Sequence, residues 1–128
     1  MSTKSRGSQA ERELVHKFWA VGWAAFRAAG SGSLKYDVPD VIAGNAARKL
    51  AIEAKITTSE VKYFTKQEVE SLQAFCQRFG CECWLAVRFF RKPWRFVCMD
   101  DLRKTEASYV LTLVDAERKG LTFEELVN

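Results

Sequence analysis

The residues whose types and spacing could do chemistry are Asp40, directly after Pro39, and Glu53-Ala54-Lys55, set apart from it by the span of one hairpin. Two carboxylates and a lysine suit phosphodiester hydrolysis, in which carboxylate-held Mg²⁺ neutralises phosphoryl charge and lowers the pKa of a bound water. Magnesium takes oxygen ligands, keeps several waters and needs only one or two carboxylates plus a substrate phosphate, so Asp40 and Glu53 are enough to expect a site. On a strand, Glu53 and Lys55 leave the same face, where the lysine can orient the attacking water or stabilise the charged transition state. The plain alternative is a solvent-facing ion pair on a half-exposed strand, with Asp40 as turn chemistry after Pro39. The order Pro39-Asp40, hairpin turn, Glu53-x-Lys55 at the end of an apolar strand favours a nuclease site.

Glu11 adds a candidate third carboxylate. It stands with Leu14, Val15 and Phe18 at helical spacing and so heads the stripe expected to face the core. Its ordinary role would be the acid of a capping box with Ser8. Arg12 and Arg27 lie near the site in sequence and are candidates to clamp phosphates. Lys4 and Arg6 lie on residues 1–7, expected to be a flexible basic arm that adds salt-dependent DNA affinity. Lys35 is a further DNA-binding candidate, next to the loop Gly30-Ser31-Gly32-Ser33, whose glycines and hydroxyls suit close approach by a phosphate. His16, the single histidine, reads as surface or packing.

The elements that must position these groups are legible in outline. Ser8 to Glu11 predicts a helix from about Gln9 to Val21, stopped at Gly22, with a short strand over Trp23 to Ala29 behind it. A strand through Val41-Ile42-Ala43 follows Pro39. A turn at Gly44-Asn45 leads to an alternating strand in which Leu50, Ile52, Ala54 and Ile56 face one way, and Ala51, Glu53 and Lys55 the other. Thr65-x-x-Glu68 is a second capping box, opening a helix over Lys66 to Phe79 that Gly80 ends. Cys83 to Phe90 and Arg95 to Met99 read as strands joined at Lys92-Pro93-Trp94, and Thr122 to Val127 as a final short helix. Helix, three strands, helix and two strands predict one α/β domain over residues 1–128, with a central mixed five-stranded sheet flanked by helices.

Composition agrees and excludes several classes. With 128 residues, 48% of them hydrophobic, the chain suits one ordinary core without repeats or low-complexity tracts. The longest apolar stretch, Phe18 to Phe26, is far shorter than the roughly 20 residues a bilayer span takes, and the polar, basic first residues do not read as a secretory signal. A cytoplasmic, intracellular protein without membrane association is expected. Cys76, Cys81, Cys83 and Cys98 lack paired zinc spacing and fall in apolar segments, so reduced, packed thiols are expected. Twenty Lys and Arg against 16 Asp and Glu give a net charge of +4, which suits a polyanionic partner without requiring one.

Ordered blocks along the chain resemble the archaeal Holliday junction resolvases, relatives of type II restriction enzymes. They are Gly7-Ser8-x-Ala10-Glu11-Arg12-Glu13, Gly22 with Phe26-Arg27-Ala28, Gly30-Ser31-Gly32-Ser33, Val38-Pro39-Asp40, Ile52-Glu53-Ala54-Lys55 and Arg78-Phe79-Gly80. The segments Leu102 to Glu106 and Gly120 to Val127 resemble the family's closing part, while Ala54 and Trp23 depart from its usual residues. The resemblance implies a restriction-endonuclease-like fold and a homodimer that binds four-way junction DNA and introduces paired symmetric nicks with Mg²⁺, Mn²⁺ substituting. It implies a catalytic set of Glu11, Ser31, Asp40, Glu53 and Lys55, with Glu11, Asp40 and Glu53 on the metal. It also implies basic contacts from Arg12 and Arg27 and a dimer contact through Phe75 and Phe79, which pattern alone would place in the core. Two other readings remain: a nuclease of the same fold acting on another DNA, and a non-catalytic DNA-binding dimer. Recombination proteins as partners are not identifiable from these residues.

Overall fold

A computed structural model describes residues 3–28 and 36–128, apart from the side chains of residues 3 and 4. Helix α1 (Thr3–Ala20) leads to β1 (Ala24–Arg27), β2 (Val41–Gly44) and β3 (Lys49–Thr57). Next come β4 (Val61–Thr65), α2 (Lys66–Phe79), β5 (Glu82–Phe89) and β6 (Arg95–Val97). A single 3₁₀ turn, β7 (Arg103–Lys104), β8 (Ser108–Thr112), α3 (Leu113–Lys119) and α4 (Phe123–Val127) complete the chain.

The central sheet is mixed and five-stranded, in the order β1-β2-β3-β5-β6. Strands β1, β2 and β3 form an antiparallel meander, with Val41 opposite Ile52. Strand β5 lies parallel to β3, with Lys55 opposite Val87. The strict alternation of β3 divides the interior in two. Leu50 and Ile52 join Leu14 and Phe18 of α1 and Phe123 and Leu126 of α4 on one face. Ala51 meets Val69, Leu72 and Cys76 of α2 on the other, with Leu85 and Val87 of β5. Glu53 and Lys55 share the phase of Ala51 and therefore belong to the α2 side.

Two expectations are corrected. Helix α1 starts at Thr3, so residues 3–7, expected as a flexible arm, form its first turns. Ser8 is consequently inside the helix and caps nothing; its hydroxyl accepts a hydrogen bond from Arg27 Nη2 at 3.2 Å. The five-stranded sheet forms as expected, and a second sheet, β4-β8-β7, is added to it. The second sheet closes over the α2 face through Phe64 and Leu111, and its partners β4 and β8 meet across all of α2, β5 and β6.

Helix α2 forms as expected. Thr65 accepts from the Glu68 N–H and the Glu68 side chain returns to the Thr65 N–H, while Gly80, at φ 78°, takes the left-handed position that ends the helix. The four cysteines are free thiols, Cys76 buried and the others half-buried. Among the described residues no helix is long and apolar enough to cross a membrane.

Candidate active site

Asp40 sits at the mouth of the β2–β3 hairpin, one step before Val41, which places it beside Glu53 in the antiparallel register. Three backbone contacts fix it there. Its carbonyl accepts from the Ala28 N–H at 3.0 Å, its carboxylate Oδ2 accepts from the Ala54 N–H at 3.0 Å, and its own N–H donates to Glu53 Oε1 at 3.3 Å. Pro39 is buried directly before it. The hairpin therefore brings two carboxylates together that are distant in sequence.

The electrostatics follow from that placement. Burial, and then the neighbouring Asp40 charge, push the Glu53 carboxyl up to about 8. Burial also raises Asp40, opposed by the Ala54 N–H and by Lys55. Neither acid is comfortable as a bare anion beside the other, so each is held toward protonation. Two adjacent, partly buried carboxylates in this condition form the oxygen-donor pair that a divalent cation satisfies, and the residues present fit such an ion.

Lys55 completes the cluster from the same face of β3. Burial pulls its pKa down, but Glu68, Glu53 and Asp40 outweigh that and leave it above the ordinary lysine value. Its Nζ donates to Glu68 Oε1 at 3.2 Å. Glu68 uses its other oxygen, Oε2, to accept the Thr65 N–H at 2.8 Å. A helix-capping acid thus also anchors the lysine, a role that the sequence pattern did not reveal. The capping spacing was visible; the approach of α2 to β3 was not.

Glu11 reaches the neighbourhood from α1 but is held by Arg27, whose Nε donates to Glu11 Oε1 at 3.0 Å. Burial and the Asp40 charge raise Glu11 against the lowering by Arg27. Among the described residues no group of three His, Cys, Asp or Glu side chains stands close enough together to hold a metal, and Glu11, paired with Arg27, is a near neighbour of the Asp40–Glu53 pair.

Beside the acids lies a cavity of about 280 Å³, lined among others by Asp37, Glu53, Glu68, Ser71 and Phe75. Phe75 is half-buried and stacks on Phe79, ring centroids 5.2 Å apart and 21° from parallel. Phe79 is 56% exposed, so the core position that helical spacing alone suggested for it does not hold. Arg6 and Arg12 are exposed on α1, away from side-chain burial, while Arg27 is drawn into the site. The side chain of Lys4, and Ser31 and Lys35 with the Gly30–Ser33 loop, lie outside the described residues.

Comparison with known proteins converges on one family. Residues 2–128 match the family model described as archaeal Holliday junction resolvase. The chain is 40% identical to the crossover junction endodeoxyribonuclease Hjc of Archaeoglobus fulgidus, covering 95% of each, and 36% identical to that of Sulfolobus acidocaldarius, covering 99% of this chain and 90% of the relative. The crystal structure of Archaeoglobus fulgidus Hjc, described as a Holliday junction resolvase from an archaeal hyperthermophile, superposes with a TM-score of 0.88 at 34% identity. The alignment covers 95% of this chain and all of that one.

Proposed function

We propose, from the premise that this chain belongs to the archaeal Holliday junction resolvase family, that it is an endodeoxyribonuclease cutting four-way DNA junctions at the Asp40–Glu53–Lys55 cluster. The observation that carries the assignment of the site is the pairing of Asp40 and Glu53 across the β2–β3 hairpin, both held toward protonation and both within the field of Lys55. Asp40 and Glu53 would hold a divalent ion, Mg²⁺ by the preference of paired carboxylates, with Mn²⁺ as a substitute. Such an ion supplies Lewis acidity toward the phosphate and a lowered pKa for water.

This chain's own groups account for the rest. Lys55, kept protonated by the acids around it, acts as a cation: it donates hydrogen bonds to the attacking water or to a phosphoryl oxygen and stabilises charge that grows in the transition state. Glu68 positions that lysine. Glu11 adds negative charge from α1 under the control of Arg27. Arg12 and Arg6, exposed on α1, with Lys4, Arg27 and Lys35, contribute contacts to the DNA backbone, and Ser31 takes part in cleavage. The whole chain works as one nuclease domain.

A junction with approximate two-fold symmetry is matched by an isologous homodimer that presents two identical sites. The stacked Phe75–Phe79 pair on α2, with Phe79 exposed, supports placing that contact there, and paired symmetric nicks follow from it. The test is cleavage of a labelled four-way junction beside linear duplex, with and without Mg²⁺, by the wild type and Glu53→Gln. Metal-dependent nicks confined to the junction and lost in the variant are expected. Equal cutting of duplex would reassign the substrate, and binding without cutting would leave a non-catalytic DNA-binding dimer.

A further inference from the structure

A second concavity, of about 430 Å³, opens at the carboxyl ends of β3 and β5. Ile56, Thr57 and Thr58 form one wall, and Arg6, Arg88, Phe90 and Arg91 give it its chemistry. Among the described residues no acidic side chain lines it, so the groove is complementary to an anion. Arg88 is anchored by Glu13 and lies over the buried Trp94 ring, 5.1 Å from its centroid. Phe90 is different: its ring is 59% exposed at the rim, with the Arg91 guanidinium 5.1 Å from the ring centroid.

The backbone holds that pair outward. Lys92 N–H donates to the Phe89 carbonyl at 3.0 Å, closing a tight turn, and Arg91 is the one described non-glycine residue at positive φ, 59°. An exposed phenylalanine flanked by an arginine offers a flat face for a base and a cation for the phosphate beside it. The wall at Thr57 lies two residues beyond Lys55 on β3, a distance of roughly 7 Å along the strand, comparable with one nucleotide.

Building on the nuclease reading above, we infer that this groove takes a DNA nucleotide neighbouring the scissile phosphate, its base unstacked onto Phe90 and its phosphate held by Arg91 and Arg6. Junction DNA has such bases available at the crossover, where continuous stacking is interrupted. Shape recognition would then gain a contact that intact duplex cannot make without breaking a stack.

The experiment compares wild type, Phe90→Ala, Phe90→Trp and Arg91→Gly in binding a fluorescent four-way junction with the divalent ion withheld, across a salt series. Thermal unfolding of each variant serves as the folding control. Phe90→Ala should weaken binding about tenfold with the salt slope unchanged, while Phe90→Trp binds like wild type. Arg91→Gly, whose new residue suits the positive φ, should lower the slope of log K against log salt by about 1. Wild-type affinity in Phe90→Ala, or an unchanged slope in Arg91→Gly, overturns the inference. Cleavage by the wild type, measured in parallel, tests the nuclease reading separately, because the binding comparison does not depend on it.

Discussion

Replacing Glu53 with Gln should make the metal-free protein more stable at neutral and alkaline pH, even though it removes an acid to which the proposed cleavage assigns the metal. Glu53 ordinarily titrates at 4.5 but is held at about 8 by burial and by Asp40. The folded state therefore binds this proton more tightly than the unfolded chain. Its contribution to stability is complete below about 4.5 and is lost as pH rises through about 8. Between pH 6 and pH 8 the loss amounts to about 2 kcal/mol at ~1.36 kcal/mol per pKa unit. For a domain of this size that is a fall in Tm of roughly 6–10 °C. Asp40 and Glu11, also raised, act in the same direction. Differential scanning calorimetry in a chelating buffer at pH 6, 7 and 8 should show wild type losing stability faster than Glu53→Gln. Millimolar Mg²⁺ should restore the wild type preferentially, since an ion that binds only the folded state stabilises it. Parallel pH profiles for the two proteins would refute the argument that the acids are forced together in the absence of an ion.

Other expectations concern the lysine, its anchor, the helix end and the dimer. Lys55→Ala should lower kcat on junction DNA by about 10²–10³, the loss usual for one preorganised charge stabiliser, without weakening DNA binding to the same degree, as single-turnover kinetics would show. Glu68→Gln keeps the capping box of α2 but removes the charge facing Lys55, so activity should fall while Tm holds; Glu68→Ala should additionally lower stability by about 1 kcal/mol in urea titrations. Gly80→Ala should destabilise by about 1–2 kcal/mol, because an alanine there must adopt φ near 78°. Phe79→Glu should yield a folded monomer by sedimentation and abolish paired nicking, and a variant that still sediments as a dimer would move the contact away from α2.

Short-range pattern carried a large part of this molecule. The alternation of Leu50, Ala51, Ile52 and Glu53 is enough to set the faces of β3, since a period of two leaves little freedom once one face is apolar. The Thr65 and Glu68 spacing opened α2 and Gly80 closed it, because both caps are local hydrogen-bonding arrangements. The acids and the lysine could be picked out because phosphoryl chemistry needs those side-chain types and because ordered blocks resembled one family.

Other features depended on contacts that no local pattern encodes. The strand β4 buries only Phe64 fully and pairs with β8 far along the chain, so its periodicity is too weak, and its partner too distant, to read from sequence. Ser8 had the spacing of a cap, yet Arg27 from β1 claimed both Ser8 and Glu11, and the helix ran on to Thr3. Glu68 looked purely structural until α2 packed against β3 and brought Lys55 within 3.2 Å of it. Residue types and spacing decided which chemistry this chain's side chains suit and which strand holds the candidate Glu53 and Lys55. The raised acids, the anchored lysine and the Glu11–Arg27 pair were decided only by packing, because each arises from charges on separate elements brought out of water together.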